Sequence, residues 1–208
     1  MASQVIIELQ CLPPISVMSH LLRYDHITFE GHETYQKRSY RNRIHIADAQ
    51  GKRSVSIPLV KGKHEQLSIR EVNISYDTSW DKGLKRLLKA SYGSAPYFDY
   101  YYDELVSIID KRHQLLWNLN YDMLQFIMTH LGFSSEISIS PRYTRDYDDT
   151  EIQDLRAQFS PTRSVDIQQV YDQVFLDRHG FISDLSSLDL LMCCGPESAI
   201  YLAGLKLS

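Results

Sequence analysis

Residues 35–43, YQKRSYRNR, hold a dense group of charged and hydrogen-bonding side chains. Four of the nine positions are cationic, at Lys37, Arg38, Arg41 and Arg43, although the whole chain has a formal net charge of −4. An arginine can bind a carboxylate or a phosphate through two parallel hydrogen bonds, and a lysine adds a point charge. The stretch therefore predicts a site for a small anion, with phosphate or carboxylate as the natural ligand.

Alternation along the next residues indicates how these side chains would be held. In an extended segment Ile44 and Ile46 face the core, whereas Arg41 and Arg43 point to the opposite face. A solvated strand edge is the alternative interpretation, because Lys and Arg also discourage pairing between sheet edges. The spacing by itself leaves both interpretations open.

The rest of the sequence excludes several kinds of site. A net charge of −4 argues against general nucleic-acid binding, which needs a basic face. The eight histidines are scattered without the spacing of metal ligands, so no metal site is predicted. Neither a glycine-rich phosphate loop nor a Gly-x-Ser-x-Gly motif occurs, and we expect no cofactor.

The cysteines and the apolar segments indicate the compartment. Cys11, Cys193 and Cys194 do not form a disulfide framework, and their apolar neighbours predict buried, structural thiols. This usage suits a reducing cytoplasm. The N-terminus lacks a signal-peptide pattern, and no stretch reaches the length of a membrane span, so we expect a cytoplasmic protein.

Local patterns predict a single α/β domain over residues 1–208, with α+β as the alternative. A strand at 5–10, a helix from Ile15 and a strand at 26–31 form a βαβ unit, which implies neighbouring parallel strands. Alternating apolar residues predict a β-hairpin at 41–59 with a loop of four or five residues. The expected fold is a mixed sheet that contains this hairpin and is flanked by helices.

Further elements follow along the chain. A helix beginning near Trp80 has Thr78 or Ser79 as its N-cap and ends at Gly93. The other expected elements are a strand at 69–75, helices at 97–110 and 113–131, a strand at 135–140, a helix at 150–159 that begins at Thr150, and two short closing helices separated by Gly195 and Pro196. Leu84, Leu88, Leu124 and Ile127 are expected in the core.

Five separated motifs, in this order, resemble the WbqC-like family, and the resemblance runs from about residue 9 to residue 204. The motifs are CLPPISVMSHLLRYDHITFE, ETYQKRSYRNRIHI, SVSIPLVKG, SYDTSWDKGLKRLLKASYGSAPYFDYYYDEL and FISDLSSLDLLMCCGPES. Cys11 stands where many members have a tyrosine, which argues against a shared cysteine nucleophile. The segment PRYTRDYDDTEIQDL replaces, in shortened form, a glycine-rich segment of longer members.

The resemblance implies a bacterial cytoplasmic protein of surface-polysaccharide (O-antigen-like) biosynthesis. The implied activity is a transferase acting on a phosphorylated or nucleotide-linked amino sugar. On this interpretation the residues that bind the ligand are Tyr35, Lys37, Tyr40, Arg41, Asn42, Arg43, Trp80 and Tyr97. The partner is then a small anionic or sugar-phosphate ligand, and the oligomeric state stays open.

Two functions from different classes fit these residues. A transferase needs a general base, and the nearby residues of suitable chemistry are His32, Glu33, His45 and Asp25. A protein that binds a small ligand or a partner surface without chemistry would use the same cations and aromatic rings. The sequence contains no familiar pair of nucleophile and base, which favours the binding protein, whereas the biosynthetic role implied by the resemblance favours the enzyme.

Overall fold

Six short strands form two sheets in the computed structural model, which describes residues 3–147, 151–163 and 165–205. The strands are β1 (Gln4–Glu8), β2 (His26–Glu30), β3 (Arg43–Asp48), β4 (Gly51–Ser56), β5 (Glu136–Ile139) and β6 (Ile152–Asp154). The main sheet has the order β5-β2-β1-β6, and each of its strand pairs is parallel. The antiparallel pair β3–β4 forms a sheet of its own, so the hairpin does not join the main sheet, contrary to the prediction.

The helices surround these sheets in one compact α/β domain, as predicted. They are α1 (Ile15–Leu21), α2 (Trp80–Tyr92), α3 (Phe98–Asp110), α4 (Leu116–His130), α5 (Leu176–His179), α6 (Ser187–Cys194) and α7 (Ser198–Gly204). Within the described residues, no helix is both long enough and apolar enough to cross a membrane.

The predicted βαβ unit is confirmed at the N-terminus. β1 pairs in parallel with β2, with Val5 opposite Ile27 and Ile7 opposite Phe29. β1 is apolar on both faces and buried, as is usual for a strand inside a parallel sheet. Pro14 precedes α1 with an extended backbone and directs the chain from the sheet into the helix.

The hairpin is also confirmed, but its loop is shorter than predicted. Asp48 pairs directly with Gly51, so only Ala49 and Gln50 form the turn. The Asp48 carboxylate accepts a hydrogen bond from the backbone N–H of Gln50 at 2.8 Å, and Gly51 adopts φ +109°. The side-chain acceptor and the glycine together allow a tight turn, which the polar residues 49–53 did not indicate.

Helix packing follows the predicted apolar positions. Leu84, Leu88, Leu124 and Ile127 are all buried in one cluster. Ser79 occupies the N-cap position of α2, although its side chain makes no capping hydrogen bond. α4 contacts α3 and α6, and α6 contacts α1 and α7, so the C-terminal helices close the core around the first helix.

Two predicted elements are wrong. Residues 69–75, expected as a strand, begin with a 3-10 turn at Ile69–Glu71, which is followed by isolated bridges at Asn73 and Ile74. The hydroxyl of Ser68 accepts a hydrogen bond from the N–H of Arg70 and so starts the turn. Local side-chain hydrogen bonding has overridden the strand propensity here.

Residues 150–159, expected as a helix, instead contain β6. Thr150, its expected cap, lies outside the described residues. β6 pairs with the free edge of β1, and the N–H of Leu155 extends the pairing with a hydrogen bond to the carbonyl of Ile6 at 2.9 Å. The backbone groups along the free edge of β1 need hydrogen-bond partners. Pairing with β1 therefore outweighs the local helix propensity of this short segment.

Candidate functional site

The carboxyl ends of the parallel strands bring several acidic side chains to one edge of the main sheet. β1 ends at Glu8, β2 at Glu30 and β6 at Asp154, while Ser140 directly follows β5. The chain adds β2 on one side of β1 and β6 on the other, so the sheet order reverses at β1. In open α/β sheets, the crevice outside the carboxyl ends at such a reversal is the usual place for a ligand.

Glu30 is the innermost carboxylate of this edge and is 0% exposed. One oxygen accepts hydrogen bonds from the N–H of His32 at 2.9 Å and from the hydroxyl of Ser140 at 2.6 Å. The other oxygen accepts one from Nη1 of Arg156 at 3.1 Å. These three donors come from segments after β2, β5 and β6, so Glu30 joins the loops that follow three strands.

Glu8 does the same for the end of β1. Its Oε1 accepts a hydrogen bond from the amide of Gln10 at 2.9 Å, and its Oε2 accepts one from the N–H of Ala157 at 2.8 Å. Its Oε2 also lies 4.0 Å from Nη2 of Arg41. With 2% exposure, Glu8 is held inside the protein by fixed donors.

Arg41 and Glu33 form a two-point ion pair beside Glu8. Nε of Arg41 donates to Oε1 of Glu33 at 2.6 Å, and Nη2 donates to Oε2 at 2.5 Å. Arg41 is 1% exposed, and its carbonyl accepts a hydrogen bond from the Asn120 amide on α4 at 2.7 Å. The backbone and the guanidinium are therefore both fixed from within the core.

Burial raises the pKa of the Glu33 carboxyl above its ordinary value. The pair with Arg41 opposes that shift, while the negative charges of Glu8 and Glu30 add to it. Burial alone would lower the pKa of Arg41, but the hydrogen bonds to Glu33 and the charge of Glu8 raise it, and Arg41 stays charged. A carboxyl with a raised pKa can hold or release a proton closer to neutral pH.

Arg156 connects the edge of the sheet to the loop at 143–147. Its guanidinium donates to both carboxylate oxygens of Asp154, to Glu30, and to the carbonyls of Thr144 and Arg145. It also lies over the ring of Tyr143, with 5.2 Å between the guanidinium carbon and the ring centre. Every nitrogen of Arg156 is engaged, so its role is to build the wall of the site.

A crevice of about 540 Å³ lies against this network. Glu33 and Arg156 line it from the sheet side, and His32, Tyr143 and Arg145 line it from the loops. His32 and Arg145 are exposed, and Tyr143 is 54% exposed. The crevice thus combines a carboxyl of raised pKa, an accessible cation and an accessible aromatic ring.

The basic stretch does not act as one exposed cationic face in this structure. Arg41 is turned inward onto Glu33, whereas Lys37 and Arg38 are exposed and Arg43 is half-buried. Gln36, immediately before Lys37, lines the crevice. Of the residues that line the crevice, Gln36 belongs to the stretch, and Arg41 acts on the crevice through its ion pair with Glu33.

The other predicted site residues lie in several places. Tyr35 and Tyr40 are buried, and the Tyr40 ring contacts the His45 ring with 5.5 Å between their centres. The Asn42 amide donates to the carbonyl of Ile57 at 3.0 Å and so supports the start of the hairpin. The Tyr35 ring contacts the His64 ring with 5.9 Å between their centres, so each of the three side chains has a structural neighbour. Their contact with a ligand stays a prediction.

Trp80 and Tyr97 lie outside the crevice. Trp80, the first residue of α2, is half-buried against the ring of Tyr76 at 5.6 Å. Tyr97 directly precedes α3 and lines a different pocket, formed with α6 and α7. The structure therefore does not bring all eight predicted residues to one site.

The four possible bases also lie at different places in the structure. Glu33 and His32 line the crevice. His45 is buried in the hairpin, where burial, followed by Lys52 and Arg43, lowers its pKa to about 4. Asp25 is exposed and precedes β2, at the opposite edge of the sheet. Glu33 is the base candidate with both access to the crevice and a raised pKa.

Glu8, Glu30 and Arg156 belong to the candidate site but are not among the residues that the sequence predicts for it. A signal for the two glutamates exists in the sequence, because each ends an apolar strand and parallel strands end at a common edge. Arg156 had no comparable signal, since its segment was predicted to be a helix. Among the described residues, no group of three or more His, Cys, Asp or Glu side chains is placed to hold a metal ion.

Two of the three cysteines, Cys11 and Cys193, are buried as predicted, and the third, Cys194, is only partly buried. None of the three forms a disulfide. Burial raises the pKa of Cys11 to about 12, and burial, followed by nearby carboxylates, raises that of Cys194 to about 11. Thiols of this kind are weak nucleophiles at neutral pH, as expected of structural cysteines.

Comparison with known proteins identifies one family. The model of the WbqC-like protein family matches residues 10–165 of the 208 residues. The match includes the crevice but stops before α6 and α7. No curated protein and no solved structure matches the chain.

Proposed function

The chain belongs to the WbqC-like protein family, and we propose that it binds a phosphorylated or nucleotide-linked amino sugar in the crevice at the carboxyl end of the sheet. The proposed reaction is transfer of an acyl or aminoacyl group to that sugar, as part of bacterial surface-polysaccharide biosynthesis. The observation that carries the proposal is Glu33, a buried carboxyl of raised pKa that lines an open crevice together with the exposed Arg145.

Glu33 has the properties of a general base for an acyl transfer. An amino or hydroxyl group that attacks an acyl carbon must lose a proton, and a base works best when its pKa lies near the working pH. Burial and the charges of Glu8 and Glu30 move the pKa of Glu33 in that direction. Arg41 is then a positioning residue, because it holds both oxygens of Glu33.

The rim of the crevice supplies groups for the rest of the ligand. Arg145 offers a guanidinium for a phosphate, and His32 lies on the same rim. The exposed ring of Tyr143 offers a flat surface on which a sugar or a base can pack. Lys37, next to Gln36 in the chain, is proposed as a further phosphate contact, in keeping with the basic stretch.

The proposed compartment is the cytoplasm. Three free thiols suit a reducing environment, and sugar nucleotides are the kind of substrate that the family resemblance implies.

A binding protein without chemistry is the second candidate. It is supported by the geometry of Glu33, since both carboxylate oxygens accept hydrogen bonds from Arg41 and a base needs one lone pair directed at its substrate. In that case the same crevice would recognise the sugar phosphate without a reaction.

Calorimetric titration with glucosamine phosphate and UDP-N-acetylglucosamine tests the binding site. We expect Arg145→Ala to weaken binding about tenfold, roughly 1.4 kcal/mol. Arg142→Ala is the matched control, because Arg142 is also exposed but is not among the residues that line the crevice. If Arg43→Ala weakens binding and Arg145→Ala does not, the ligand binds at the basic stretch instead of the crevice.

Mass spectrometry of the sugar after incubation with acetyl coenzyme A separates the two candidate functions. The transferase predicts a sugar that gains an acetyl group with the wild-type protein and not with Glu33→Gln. Binding that is retained by both proteins, with no change in sugar mass, would support the binding protein. If neither sugar binds to the protein, the proposed substrate class is contradicted.

A further inference from the structure

The pocket that contains Tyr97 is unlike the crevice. It has a volume of about 550 Å³ and lies between α3, α6, α7 and the segment at 169–172. Among the described residues, its lining includes the carboxylates Asp172 and Glu197 and no Lys, Arg or His side chain. The described lining is therefore acidic, whereas the lining of the crevice includes Arg145 and Arg156 as well as carboxylates.

Tyrosine rings form much of its wall, and the protein holds them in place. The rings of Tyr171 and Tyr201 meet edge to face, with 5.2 Å between their centres. The hydroxyl of Tyr171 donates to Asp189 at 2.5 Å, and the hydroxyl of Tyr201 donates to the carbonyl of Gln169. Both hydroxyl groups are bonded within the protein, which fixes the two rings in the wall of the pocket.

Tyr97 is fixed from the other side. Its N–H donates to the carbonyl of Met192 at 3.1 Å. Gly195 has φ +54°, and a Cβ at this position would collide with the Tyr97 ring. The glycine therefore allows the ring to lie directly on the end of α6, where it completes the wall.

The electrostatic field of the pocket is negative. Cys194 is half-buried in the lining, and after burial the next causes of its raised pKa are the charges of Asp189, Glu197 and Asp172. The negative charges of these carboxylates repel a thiolate at Cys194, and they attract a cation in the pocket for the same reason. A cation next to the face of a tyrosine gains further from the negative charge of the ring face.

We propose that this pocket binds a small organic cation, an ammonium group attached to an apolar body. The carboxylates of Asp172 and Glu197 and the rings of Tyr97, Tyr171 and Tyr201 would receive the ammonium group. The exposed apolar side chain of Ile200, which also lines the pocket, would contact the apolar part. A volume of about 550 Å³ is in the range of small-molecule sites and is larger than a single side chain requires.

The thiol of Cys194 provides a direct measurement, because Cys11 and Cys193 are buried while Cys194 is half-buried in the wall. Benzyltrimethylammonium, an ammonium group on an apolar ring, is the probe. Its occupancy is followed as protection of Cys194 against the neutral reagent iodoacetamide, with the modified residue identified by mass spectrometry. We expect at least a fivefold slower reaction at millimolar probe, and no protection by benzyl alcohol or benzoate at the same concentration.

Substitutions then assign the binding to the pocket. Glu197→Gln and Asp172→Asn each remove one carboxylate at an exposed position and should raise the concentration for half-protection severalfold. Asp177→Asn, at an exposed position outside the lining, should leave it unchanged. Tyr97→Leu should also weaken protection, whereas Tyr100→Leu, which alters an exposed neighbouring ring outside the lining, should not.

Equal protection by benzyl alcohol, or none by benzyltrimethylammonium at tens of millimolar, would overturn the proposal. So would full protection in the double variant of Glu197→Gln and Asp172→Asn. Arg145→Ala should have no effect on this assay, so the outcome is independent of the sugar-phosphate crevice.

Discussion

Arg41 shows how burial changes the use of a charged side chain. The sequence offers it as part of an anion site, but its guanidinium is bound to Glu33 within the protein. Removing one member of a buried ion pair leaves the other charge without compensation, which costs more than the pair itself contributes. Asp189 illustrates the same physics without a cationic partner, since burial raises its pKa to about 6.

Arg41→Met should therefore lower the free energy of unfolding by about 3–5 kcal/mol near neutral pH. The loss should shrink as the pH falls and Glu33 becomes protonated, because a neutral carboxyl no longer needs the guanidinium. Urea denaturation at several pH values measures both effects. Arg38→Met, at an exposed position of the same stretch, is the control and should change stability by less than about 0.5 kcal/mol. A comparably small effect of Arg41→Met would contradict the buried pair.

The pH dependence of Asp189→Asn is the second prediction at this scale. Asp189 has a folded pKa raised to about 6 from an ordinary 3.8, mainly by burial, although the hydrogen bond from Tyr171 opposes the shift. A raised carboxyl pKa stabilises the fold below the unfolded pKa, and this stabilisation is lost as the pH rises through the folded pKa. Relative to wild type, the asparagine variant should gain up to roughly 3 kcal/mol between about pH 4 and pH 8.

Urea denaturation of both proteins across that range gives the difference curve. Comparing the two proteins removes the opposite contribution of His45, whose lowered pKa destabilises the fold as the pH falls. Asp177→Asn, at an exposed position, is the control for the loss of a surface carboxylate. A flat curve for Asp189→Asn would mean that Asp189 titrates in the fold as it does in the unfolded chain.

At the scale of elements, the hairpin and β6 differ in what determines them. The hairpin has its own alternating pattern and its own turn, so β3 and β4 form where the sequence predicts them. β6 has three residues and pairs only with β1, so its conformation depends on a strand almost 150 residues away. The turn of the hairpin therefore offers a local test.

Gly51→Ala should destabilise the protein by roughly 1–2 kcal/mol, because a residue with a Cβ is strained at positive φ. Space is not the cause, since the nearest atom to a Cβ at this position is Nδ1 of His179 at 4.0 Å. Thermal or urea unfolding measures the loss. Gly62→Ala is the matched control: no atom lies within 4 Å of its Cβ and its φ lies outside the strained range, so its stability should change by less than about 0.5 kcal/mol. Equal effects of the two substitutions would refute a strained turn.

At the scale of the whole molecule, the core joins the sheet to every large helix. α4 lies against α3, α6 and the 3-10 turn at 69–71, so its apolar side chains belong to one continuous cluster. Leu124, in the middle of α4, is 0% exposed. Its packing therefore reports on the assembly of the domain and not on the helix alone.

Leu124→Ala should lower the free energy of unfolding by about 2–5 kcal/mol, through lost burial and the cavity that remains. Ile200→Ala on α7 is the control, since Ile200 is 75% exposed and should contribute less than about 0.5 kcal/mol. Urea denaturation measures the free energy of unfolding of both variants, which are compared when the dependence of that free energy on urea concentration is the same. A loss below about 1 kcal/mol for Leu124→Ala would contradict a close-packed core.

The sequence determined those features whose cause lies in neighbouring residues. Apolar alternation specified the hairpin, helical spacing specified α2, α3 and α4, and the prolines and β-branched residues specified the βαβ unit. The same reasoning identified Glu33 as one of four possible bases, because it carries a carboxyl close to the basic stretch. Each of these inferences needed only local geometry and the chemistry of one side chain.

The tertiary structure decided which charges are buried, which line the crevice and which residues lie together. Glu8, Glu30 and Arg156 meet because parallel strands end at a common edge, and sequence distance carries no information about that edge. The guanidinium of Arg41, which the sequence offers to an anion, pairs with Glu33, and its carbonyl accepts a hydrogen bond from Asn120 on α4. The cost of burying a charge depends on every partner around it, and those partners are chosen only when the chain has folded.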